Sequence, residues 1–119
     1  MVHKCYSLKK ISDIANGDQE FVRELLGMFV ENVTTDIERV QSFRPEENWT
    51  AIAETAHKLA SNFAYLDAHS LHLLAADIEK SVINDHNLTG IADKTEQMCN
   101  EGIMLIRQLK NDFCFLDKN

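Results

Sequence analysis

The chain has 119 residues, with Lys+Arg 12 against Asp+Glu 19 and a formal net charge of −7. That balance excludes a general binder of nucleic acid or anionic membrane surface, since both need a positive footprint. No apolar run approaches the roughly 20 residues of a membrane span.

Apolar residues at 45% and charged residues at 26% are globular proportions, and length predicts one domain over residues 1–119. Gly 4 and Pro 1 are too few for many strands and tight turns, so the composition leans to helices. The opening MVHKCYSLKK lacks the apolar stretch of a signal peptide. Cys5, Cys99 and Cys114 are odd in number and lack C-x-x-C spacing, which reads as reduced thiols in a cytoplasmic setting.

A short first helix carries Leu8, Ile11, Ile14 and Ala15 and stops at Asn16-Gly17. Asp18 caps a long second helix, whose stripe is Val22, Leu25, Leu26, Phe29, Val33, Ile37 and Val40 and whose end is Arg44-Pro45. A third helix begins between Pro45 and Asn48, with Glu46-Glu47 read as its first turn. Its stripe is Trp49, Ile52, Ala56, Leu59, Phe63 and Leu66.

Asp67 is the expected N-cap of a fourth helix with Leu71, Leu74, Ala75, Ile78 and Val82 inward. Beyond the polar run at residues 84–87, a fifth helix carries Leu88, Ile91, Thr95, Met98, Cys99, Leu105, Ile106, Leu109 and Phe113. Gly102 shares that face and either admits a neighbouring helix closely or weakens its own. Met28, Met98 and Met104 read as core or core-edge filler. The expected architecture is all-α: an antiparallel up-down-up-down four-helix bundle with a short N-terminal lid helix.

One constellation carries chemistry. At about 100° per residue, His57 points about 130° from the third helix's buried direction. Its neighbours one and two turns away are Ala53, Ala60, Ser61 and Ala64, all small, with Glu54 and Lys58 on one flank. A neutral imidazole exposed in that way is a nucleophile near pH 7, and small neighbours let a partner's active site reach it. The sequence displays no triad and no phosphate-cradling glycine loop, so the chain reads as able to accept a group but not to catalyse alone. His69 and His72, at i and i+3, suggest a metal-binding alternative with His57, although such pairs are more often solvated. His3 and His86 read as incidental.

The run Ala56-His57-Lys58-Leu59, with small Ser61, then Leu66, Leu71 and Ile78-Glu79, resembles histidine phosphotransfer (HPt) domains. The resemblance spans roughly residues 7 to 112, and its specific part is roughly 57 to 79. It implies a phosphoprotein of two-component signal transduction, with His57 as the phosphoacceptor (the catalytic position) and Glu79 in support. Beside them, small Ser61 offers a hydroxyl to a phosphoryl oxygen, and Lys58 is the nearby cation expected to compensate for the lysine that this sequence lacks. The small residues around His57 predict the docking face for a partner: Ala53, Ala60, Ser61 and Ala64, with a contribution from the second helix. The implied partners are response-regulator receiver domains, a hybrid sensor histidine kinase, or both, met by a monomer. No cofactor or metal of its own is implied, because Mg²⁺ belongs to the receiver.

The family's usual His-x-x-Lys-Gly becomes Ala60 and Ser61 here, which removes a cation beside the histidine. A non-phosphorylated module that docks a receiver or kinase is the alternative this departure suggests. Asp67 stands where the family commonly has glycine.

Overall fold

The computed structural model describes residues 5–117, and only the backbone of Asp117. Five α-helices follow one another: α1 Lys9–Ile14, α2 Gln19–Phe43, α3 Trp49–Tyr65, α4 His69–Glu79 and α5 Ile91–Asp112. A π-helical turn, Lys80–Asn84, extends α4, and a 3₁₀ turn, Cys114–Asp117, follows α5. No strand occurs among the described residues. The four long helices form the expected bundle, with α3 packed between α2 and α4, and α5 closing against α2 and α4.

Local chemistry sets the helix ends. Asp18 accepts from the amides of Glu20 and Phe21, satisfying two of the donors that a helix start leaves unpaired. Asn48 caps α3 through Ala51 N. Glu46 and Glu47 therefore precede α3 rather than forming its first turn; Glu47 sits at φ 51° in the turn before it.

The α3–α4 joint also differs from expectation. Ala68, without a side-chain cap bond, is the N-cap of α4. Asp67 instead takes a left-handed conformation, φ 54°, just past the end of α3. Its amide bonds Ala64 O at 3.1 Å while Ala68 N bonds Phe63 O at 2.9 Å, a Schellman closure. A carboxylate thus fills a position that glycine favours, and Lys10 of α1 lies 3.3 Å from it. Lys10 also donates to Ala64 O, and Ser7 N to Leu66 O, so the N-terminal segment lies across this end of α3.

The core runs the length of the bundle through Leu26, Val33, Ile52, Leu59, Phe63, Ile78, Met98, Leu105 and Leu109. Gly102 faces α2 so closely that a Cβ there would lie 2.6 Å from Ile37 Cδ1, which resolves its role as close approach. Some expected core residues lie outside. Met28 and Met104 are exposed, as is Ile14 on the outer side of α1. Leu88 falls in the loop before α5, which Gly90 opens, and Phe113 is the half-buried C-cap after it. The three cysteines are unpaired.

Candidate functional site

Helix α3 aims its stripe inward and leaves His57 outside, with 66% of the side chain exposed. The flank towards α4 supplies Glu79, at the end of that helix. His57 Nδ1 lies 2.9 Å from Glu79 Oε2 and 3.1 Å from Oε1. A carboxylate can only accept, so in the neutral ring the Nδ1 hydrogen is donated to Glu79 and the lone pair resides on Nε2. Glu79 therefore selects the tautomer and orients the ring, while the nucleophilic nitrogen is left away from the carboxylate.

The small residues around His57 do not form one open face. Ala53 and Ala60 are buried, which corrects their expected place in a docking surface. They lie about 40° and 60° from His57 around α3, on the side where α4 packs. The three-residue joint at 66–68 holds α4 against this side, and side chains no larger than methyl permit that approach. His72 of α4 seals it further: its Nδ1 hydrogen is donated to Ala60 O at 2.9 Å. What stays open beside His57 is exposed Ser61, one turn on, and half-buried Ala64.

On the opposite flank, α2 and α3 border an open groove whose lining includes Asp36, Arg39, His57, Lys58, Ser61 and Asn62. Asp36 is a buried carboxylate at the edge of the α2 stripe. Burial pushes its carboxyl above the ordinary range, and the charges of Lys58 and Arg39 pull in the opposite direction. Arg39 Nη1 stands 4.0 Å from Asp36 Oδ1, beyond hydrogen-bond length. Neither Asp36 nor Arg39 was among the site residues read from the sequence. The available signal was a carboxylate at the three- and four-residue spacing Val33, Asp36, Val40 of an otherwise apolar stripe.

The metal alternative does not assemble. His72 is engaged with Ala60, and among the described residues no group of three or more His, Cys, Asp or Glu side chains is placed to hold a metal ion. His86 is exposed in the loop before α5, and His3 lies outside the described residues.

The model of the Hpt domain matches residues 24–112, well over half of the chain. The chain belongs to the Hpt domain family. The match includes His57, Lys58, Ser61 and Glu79 and leaves α1 outside it. The Hpt domain is also 24% identical over 75 residues to the virulence sensor protein BvgS of Bordetella bronchiseptica. The same identity and length hold for BvgS of Bordetella parapertussis. Those residues are 63% of this chain and 6% of the relatives, so it corresponds to a small part of those sensor proteins. No solved structure matches with comparable significance. Hpt domains are typically phosphoryl carriers in phosphorelays, rather than enzymes, and interact with receiver domains and hybrid kinases.

Proposed function

We propose that this Hpt domain accepts a phosphoryl group on Nε2 of His57 from a receiver-domain aspartate and donates it to another. The observation that carries the reading is the His57–Glu79 pair beside an exposed ring. In the forward step the Nε2 lone pair attacks phosphorus of the receiver's aspartyl phosphate. The P–O bond to the aspartate breaks, and its electron pair leaves with the carboxylate oxygen.

The Nδ1 proton stays in place throughout. The ring becomes cationic as the N–P bond forms, and the adjacent Glu79 carboxylate stabilises that charge. Return of the phosphoryl group to a second aspartate reverses these movements. In-line positioning and Mg²⁺ come from the receiver in this reading, so the carrier contributes an oriented nucleophile and an approachable surface. Ser61, exposed one turn from His57, supports that surface and offers a hydroxyl to a phosphoryl oxygen.

Incubation with phosphorylated receivers from the same genome should give acid-labile, alkali-stable label, absent in His57→Gln. Glu79→Ala should retain labelling at a rate lower by about tenfold, the loss expected for one charge-assisted hydrogen bond. Failure of labelling with every cognate receiver would remove this reading. The absence of a lysine at Ala60 favours a second one, a docking module that is not phosphorylated. Its signature is receiver binding unchanged in His57→Ala together with no label.

A further inference from the structure

The family's lysine, three residues after the histidine, is missing, and position 60 in this fold is buried beside α4. A phosphoryl group on Nε2 would carry about two negative charges at neutral pH. The side of the site that offers positive charge is the α2–α3 groove. Arg39 of α2 lines this groove together with His57 and Lys58 of α3, and the charges of both Arg39 and Lys58 act on the buried Asp36. The groove's charged side chains are therefore Glu31, Arg39, Lys58 and the buried Asp36.

We propose that Arg39 is a phosphoryl-positioning residue, supplied from α2, which together with Lys58 takes the place of the lysine absent from position 60. This inference rests on the reading of His57 as the phosphoacceptor. Arg39 suits the role because its present tie is weak: the Asp36 contact is 4.0 Å long and the side chain is 56% exposed. Its planar fork can exchange that contact for two phosphoryl oxygens, a geometry that an ammonium cannot match.

A small P–N donor separates this role from partner docking. With phosphoramidate, the Nε2 lone pair attacks phosphorus, the P–N bond breaks with its electron pair, and ammonia leaves from the protonated amine form. Phosphohistidine formation on the full chain is followed by ³¹P NMR at several ionic strengths, with melting temperature as the folding control.

Arg39→Gln should slow labelling by about tenfold and flatten its salt dependence, while Arg39→Lys recovers much of the rate. Arg107→Gln, an exposed change outside this groove, should label like the unaltered chain. Should Arg39→Gln fold poorly, Arg39→Met carries the same test: its labelling must fall and lose salt dependence, while the original rate and slope in that variant would overturn the role. Labelling of folded Arg39→Gln at the original rate and salt slope overturns the role of Arg39 and leaves the phosphoacceptor reading standing. An unaltered chain that takes no label from phosphoramidate or any receiver overturns both.

Discussion

Asp36 and His57 lie on the two walls of one groove and are held in opposite ways. His57 is exposed and orients through a carboxylate; Asp36 is a carboxylate driven into the helix interface, where burial disfavours its charge despite Lys58 and Arg39. A folded-state value raised above the unfolded one stabilises the fold fully below that unfolded value, about 3.8 for this aspartate. The contribution is lost as pH rises through the folded value. Asp36→Asn should therefore melt higher than the unaltered chain at pH 7, with the difference shrinking towards pH 4. A difference constant across that window would mean that the charge of Asp36 does not oppose folding. The sequence identified His57 and Glu79 because a motif marks them. It did not mark Arg39, because the relation of Arg39 to His57 exists only between two packed helices.

The joint between α3 and α4 does most to position the site at the scale of elements. The Schellman closure ends α3 at Tyr65, turns the chain in three residues and sets α4 against the Ala53–Ala60 flank, which brings Glu79 to His57. Asp67 performs a task that glycine does with less strain, and its pairing with Lys10 offsets part of that cost. Asp67→Gly should unfold no earlier than the unaltered chain in a urea titration. Asp67→Ala, which keeps a Cβ and loses the ion pair, should lose about 1 kcal/mol. Equal losses in both variants would place the stabilisation in the ion pair alone. The sequence signalled the break at residues 66–68 but not which side chain served which helix. Aspartate is common both as an N-cap and in the left-handed position, and only the backbone direction distinguishes the two.

Across the whole molecule, α5 closes the bundle by lying close to α2 at Gly102, with Ile37 Cδ1 and Phe63 Cζ filling the space a side chain would need. Gly102→Val should cost about 2 kcal/mol in chemical denaturation, because two added methyls and the Cβ meet a packed interior. If stability were unchanged, α2 and α5 would have room to part, and the groove on the other side of α2 would not be rigidly placed. The exposed methionines follow from the same arrangement. Met104 has Asn100, Glu101, Arg107 and Gln108 three and four residues away, and Met28 has only Leu25 as an apolar neighbour at that spacing, so both lie off the stripes that the bundle buries.

Periodicity, caps and low glycine and proline content determined four long amphipathic helices and a short leading one, since each of these is a property of the chain within a few turns. The spacing around His57 placed it outside the core, and the motif through Glu79 named its support. Tertiary structure alone decided which flank of His57 is open. Burial of Ala53 and Ala60, the approach of Arg39 and the buried charge of Asp36 all depend on which helices neighbour α3, and at what distance. Helical spacing fixes a residue's angle around its own axis, but not the chemistry of the surface that arrives opposite it.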